Sequence, residues 1–109
     1  MDNCLFCRIV NGEISAEFVH QNKDAVVFAD ISPQAPVHLL VVPRKHVEDV
    51  TAASQDLLGR LFQTANEAAE RIGLKQFRLV INTGPEAGQA VFHLHVHILG
   101  GRPMNWPPG

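Results

Sequence analysis

His93-Leu94-His95-Val96-His97-Ile98-Leu99 sets three histidines at every second position and closes on two apolar residues. Alternate side chains of an extended strand point to the same face. The spacing predicts a strand over Val91–Leu99, with three imidazoles on one face and Leu94, Val96 and Ile98 on the other. A second apolar run, Val37–Val42, carries His38 near its start and reads as a buried strand. Pro33 and Pro36 make the preceding Ser32–Val37 stretch a rigid loop, because proline cannot donate to a ladder.

The remaining elements follow from the same periodicities. Leu5–Val10 predicts one or two helical turns ended by Asn11-Gly12. Glu17–Gln21 and Ala25–Asp30, joined by Asn22-Lys23-Asp24, predict a hairpin. Ser54 is a good N-cap for a helix in which Leu57, Leu58, Leu61, Phe62, Ala65, Ala68, Ala69 and Ile72 form one stripe. Gly73 is placed to close that helix in a left-handed conformation. Gly59 inside it costs roughly 1 kcal/mol relative to alanine and suggests close packing. Phe77–Asn82 predicts a further strand, and Thr83–Gln89 a glycine-bearing loop. The order predicts an α+β domain, with a mostly antiparallel sheet of about five strands, one long helix and a short N-terminal helix.

A chain of 109 residues makes one domain, residues 1–109. The net charge of -2 and the absence of a basic run argue against a nucleic-acid partner. No stretch approaches the ~20 apolar residues needed to span a bilayer, so no membrane role is expected. Met1-Asp2-Asn3-Cys4 lacks the charged and apolar segments of a secretory leader, and a soluble cytoplasmic protein is expected. Cys4 and Cys7 are the only cysteines. Their spacing suits a redox pair, half of a zinc site, or two small buried residues. A redox motif belongs after a strand, and none precedes them.

Burying three imidazoles together costs desolvation of each ring unless every nitrogen finds a partner. Packing alone gives no reason to accept that cost. Two chemistries remain open from the residues themselves. The histidines could hold a hydrolytic zinc with water in the fourth position. Alternatively, the middle imidazole attacks phosphorus while its neighbours position it and handle protons. The second needs an anion-binding surface, and Gly84–Gln89 can aim backbone N–H groups at a phosphate.

Gln89–Leu99 resembles the histidine-triad signature, His-φ-His-φ-His-φ-φ with φ apolar. Asp30–His38 and the tail Gly100–Gly109 are similar to the histidine-triad nucleotide-binding branch, the purine nucleoside phosphoramidases. The resemblance implies a homodimer whose subunits join their sheets. It also implies hydrolysis of a purine nucleoside monophosphate joined to an amine, such as adenosine 5′-phosphoramidate or AMP-lysine, releasing AMP. His95 would be the nucleophile, with His97 and His38 flanking the phosphate and His93 at the edge of the same face. Asp30 would hold the ribose hydroxyls. Ile31 with Leu5, Phe6, Ile9, Phe28 and Leu40 would wall the base. Asn82, Gly88, Gln89 and the Ala90 backbone would meet the phosphate or leaving group, and Trp106 would reach the partner subunit's site. No cofactor is implied for catalysis. A related branch hydrolyses dinucleoside polyphosphates, and a nucleotide-binding scaffold with incidental activity is a further alternative.

One position departs from the pattern. The family commonly has serine where this chain has Ala90, removing a hydroxyl that could hold a phosphate oxygen. Some bacterial members resemble this chain in joining an N-terminal Cys-x-x-Cys to two histidines around zinc. The matching residues are Cys4, Cys7, His46 and His93. Four protein ligands close the tetrahedron, so the implied zinc is structural.

Overall fold

The computed structural model describes residues 3–109. Met1 and Asp2, part of the stretch read above for a leader, lie outside the described residues. The chain runs α1 (Leu5–Val10), β1 (Phe18–Gln21), β2 (Ala25–Ala29), β3 (Val37–Pro43), α2 (Gln55–Arg71), β4 (Phe77–Val80) and β5 (Val96–Gly100), with a short 3₁₀ turn at Val50–Ala52 before α2. The five strands form one sheet of order β1-β2-β3-β5-β4, every pairing antiparallel. The α+β expectation therefore holds.

Strand alternation divides the core between the two faces. Ala25, Val27, Leu39, Val41, Val96 and Ile98 point to one side and meet Leu61, Ala65 and Ala68 of α2. Val26, Phe28, Leu40 and Val42 point to the other and meet Phe6 and Ile9 of α1. Helix α2 begins as its sequence dictates, with the Ser54 hydroxyl accepting from Leu57 N–H at 3.0 Å. It ends at Gly73, whose φ of 72° is the left-handed turn that a side chain would strain. Gly59 does not serve close packing: a Cβ there would meet nothing within 4 Å.

The histidine strand is shorter than its pattern. Its hydrogen-bonded ladder starts at Val96, opposite Val41, rather than at Val91. Pro43, at the end of β3, has no N–H to continue the pairing. Its carbonyl instead accepts from His93 Nε2 at 2.8 Å. Leu94 N–H donates to Val47 O at 2.7 Å, outside the sheet. The side-chain alternation survives this break, since Leu94 joins Val96 and Ile98 in the α2-side core. β4 likewise stops at Val80, leaving Ile81 and Asn82 outside the expected strand.

Candidate active site

His38 on β3 and His97 on β5 lie on the sheet face that α1 only partly covers. Leu40, on that face, stands opposite His97 in the register. His95 precedes β5 and packs edge-on against Phe6, ring centroids 5.0 Å apart. His95 and His97 rings are also 5.0 Å apart. Both line a cavity of about 570 Å³, large enough for a nucleotide-sized ligand. Phe6, Phe28, Asp30, Ile31, Gly88 and Ala90 line the same cavity, as do Leu5, Ile9 and Leu40.

The hydrogen bonds fix the tautomers. His95 Nδ1–H donates to the His93 carbonyl at 2.7 Å, which leaves the Nε2 lone pair available. Gln34 backbone N–H donates to His38 Nδ1 at 3.0 Å. The proton of neutral His38 is therefore on Nε2, where it donates to His97 Nδ1 at 2.9 Å. Asp30 Oδ2 lies 3.4 Å from the same His38 nitrogen. His97 must then carry its proton on Nε2. That atom is buried and has no partner among the described residues. A buried donor without an acceptor is costly. A ligand oxygen or nitrogen in the cavity would satisfy it.

Burial keeps His95 and His97 neutral. It is the main cause holding His95 below the ordinary imidazole range, opposed by the His93 carbonyl and the Asp30 charge. His97 is pushed down to about 4, first by burial and then by the neighbouring His95 and His38. A neutral His95 with a free Nε2 is the nucleophilic form.

The other expected residues divide. Gly88 (φ 101°) stands beside Asn82: a Cβ there would meet Asn82 Nδ2 at 3.5 Å. Gln89 is a correction. Its amide donates to Glu48 O and Val91 O, its Oε1 accepts from Gly84 N–H, and its own N–H donates to Gly84 O. Its donors hold the loop in shape and are not available to a phosphate. Trp106 is 82% exposed with Arg78 beneath its ring and does not line the cavity. Sequence reasoning missed Gln34, whose role is a backbone N–H that no side-chain pattern announces. It also missed Ile14–Glu17, which lines the cavity.

His93 departs from the other two histidines of the motif. It is fully buried, and its Nδ1 lies 3.4 Å from Cys4 Sγ, 3.5 Å from Cys7 Sγ and 3.2 Å from His46 Nδ1. Cys7 Sγ is 3.2 Å from His46 Nδ1. Tetrahedral zinc at ordinary bond lengths spaces two nitrogens roughly 3.3 Å apart and a nitrogen and a sulfur roughly 3.5 Å apart. The four donors therefore fit a zinc ion. The second shell fits too, because the Pro43 carbonyl holds the His93 proton on Nε2 and leaves Nδ1 bare. Burial first, then the Cys4 thiol, raise the Cys7 thiol above its usual range. A bound cation would reverse that by favouring the thiolate. His93 thus joins the candidate metal site by its ring and the candidate active site by its carbonyl.

Residues 11–104 match the HIT domain. The chain belongs to this family. It is 48% identical to an uncharacterized HIT-like protein of Synechocystis sp., the alignment covering 99% of this chain and 98% of that one. Its fold matches the crystal structure of a HIT family hydrolase from Legionella pneumophila with TM-score 0.92 and 46% identity, covering 98% of this chain and 100% of that one. A HIT family hydrolase from Clostridium thermocellum matches with TM-score 0.91 and 37% identity, over 96% of each chain. The HIT chain thus has the fold of known hydrolases.

Proposed function

We propose that this HIT protein is a purine nucleoside phosphoramidase of the histidine-triad nucleotide-binding branch, acting through a covalent nucleotidyl-His95. The observation that carries the reading is the tautomer arrangement: a neutral His95 with Nε2 free, beside a His97 Nε2–H that lacks an acceptor. One is a nucleophile and the other a donor, and both residues line the same cavity.

In the first step the His95 Nε2 lone pair bonds to phosphorus. The P–N bond to the amine breaks with its electron pair on nitrogen, which takes up a proton through the His97 Nε2–H and leaves. Solvent restores that proton to the site. In the second step water attacks phosphorus, and the N–P bond breaks with its pair returning to His95. The water proton is released with AMP, so one water is consumed per turnover. His38 keeps His97 in its donor tautomer, and Asp30 accepts from the ribose hydroxyls. Asn82, Gly88 and the Ala90 backbone border the phosphate. Phe6, Phe28 and Ile31 flank the nucleoside.

The assembly follows the same reading. β4 is an edge strand without a further partner among the described residues, and it would continue the sheet into a second subunit. The exposed Trp106 would then reach the neighbouring site. Cys4, Cys7, His46 and His93 would hold a structural zinc that ties α1 to the histidine segment, supplying a rigid cross-link and no activated water. The protein would work in the cytoplasm.

The test compares wild-type and His95→Asn protein with adenosine 5′-phosphoramidate and diadenosine polyphosphates. The proposal expects AMP and ammonia from the former, with turnover lost in the variant while AMP still binds. Equal turnover by His95→Asn, or a clear preference for the polyphosphates, would contradict it.

A further inference from the structure

The cavity lining is mostly apolar and carries one more carboxylate than the proposed chemistry uses. On the phosphoramidase reading His95, His97, Gly88 and Ala90, all in the lining, border the phosphate, and Asp30 borders the ribose. Beyond them Phe6, Ile9, Phe28 and Leu40 offer apolar faces to a base. The segment between α1 and β1 crosses this region. Ile14 and Ala16 pack on the Phe6–Phe28 cluster, and the exposed Ser15 and Glu17 also line the cavity. Asp30 already accepts from Ser32 N–H at 2.8 Å and lies near His38. The Ser15 hydroxyl and the Glu17 carboxylate make no hydrogen bond or ion pair among the described residues.

We propose that Glu17, with Ser15, reads the edge of the base and makes this site prefer guanine nucleotides. The assignment rests on the phosphoramidase reading for the direction in which the nucleotide lies. The chemistry is one of donors and acceptors. An ionised carboxylate only accepts hydrogen bonds. Guanine presents two adjacent donors, N1–H and the N2 amino group, which match two carboxylate oxygens, and its O6 can accept from the Ser15 hydroxyl. Adenine presents one donor, the N6 amino group, beside the N1 lone pair, which faces a carboxylate unfavourably. Hypoxanthine keeps N1–H and O6 but lacks the N2 amino group. The predicted order is guanine, hypoxanthine, adenine.

Titration calorimetry with GMP, IMP and AMP on the wild-type chain, Glu17→Gln and Glu17→Ala tests the assignment. Steady-state kcat/KM for the guanosine and adenosine 5′-phosphoramidates provides the second readout. A hydrogen bond to a charged group corresponds to roughly 10- to 100-fold in affinity, and the solvent-exposed position of Glu17 puts the expected GMP:AMP ratio near the lower bound, about tenfold. Glu17→Gln should bring the ratio close to one, because its amide can both accept from N6 and donate to N1 of adenine. Glu17→Ala should also remove the preference. IMP should fall between the other two on the wild-type chain. Equal wild-type affinities, or a ratio unchanged by both substitutions, would overturn the Glu17 assignment. A chain that hydrolyses both phosphoramidates without discrimination would overturn the assignment and leave the phosphoramidase reading intact. A chain that binds GMP preferentially yet hydrolyses neither would support the assignment and contradict that reading.

Discussion

Lowering the pH should destabilise the protein through His97 in particular. That ring is held at about 4 in the folded state, against roughly 6.5 for an exposed histidine. The unfolded chain therefore takes up its proton first as the pH falls. Stability from a depressed histidine is fully present above 6.5 and is lost between 6.5 and about 4. Between pH 7.5 and 4.5 the loss from this one ring is about 2.5 kcal/mol, a large share of the stability of a small domain. Burial lowers His93 and His95 in the same direction, so the whole protein should weaken by more than this. His97→Gln isolates the contribution, because an amide does not titrate. Urea unfolding at pH 7.5 and 4.5, at equal protein concentration, should show the variant losing about 2.5 kcal/mol less than wild type, a difference of about 1–2 M in midpoint. Losses that agree to within about 0.5 kcal/mol would refute the claim that the fold holds His97 neutral.

While the fold persists, the acid limb of kcat/KM should lie below 6.5, because burial holds free His95 below the ordinary range. An acid limb above 7 would contradict it. Treatment with a strong zinc chelator, or Cys7→Ser, should lower Tm by roughly 10 °C or more by releasing α1, as thermal unfolding would show. Ala90→Ser should raise kcat/KM for a phosphoramidate by up to about tenfold, by returning a hydroxyl to the cavity. Gly100→Ala should destabilise by about 1–3 kcal/mol in denaturant unfolding, since its Cβ would meet Leu74 Cδ1 at 2.7 Å and Gln76 O at 3.2 Å.

Much of this architecture was legible because local signals agreed with tertiary packing. The Ser54 cap, the leucine and alanine stripe of α2 and the left-handed Gly73 each mark the helix directly. The alternation of Leu94, Val96 and Ile98 against the histidines predicted which side chains share a face. Alternation says nothing about where a ladder has a partner, however. β5 begins late because Pro43 cannot donate and its carbonyl is taken by His93. Period two also grouped His93 with His95 and His97, whereas long-range packing brings Cys4, Cys7 and His46 around its ring. Gln89 lies beside the glycine loop in sequence, yet its amide is held by Glu48, Val91 and Gly84. The tautomer chain from Gln34 through His38 to His97 depends on a backbone N–H and a cross-strand ring contact. Neither has a residue-type signature.

Mass spectrometry of protein quenched at neutral or alkaline pH during turnover of a purine nucleoside phosphoramidate addresses the chemistry most directly. A nucleotidyl mass increment should appear on the peptide containing His95, map to that residue, and be absent from His95→Asn. Hydrolysis with no adduct at any sampling time, together with undiminished turnover of His95→Asn, would show that imidazole attack on phosphorus is not how this site works.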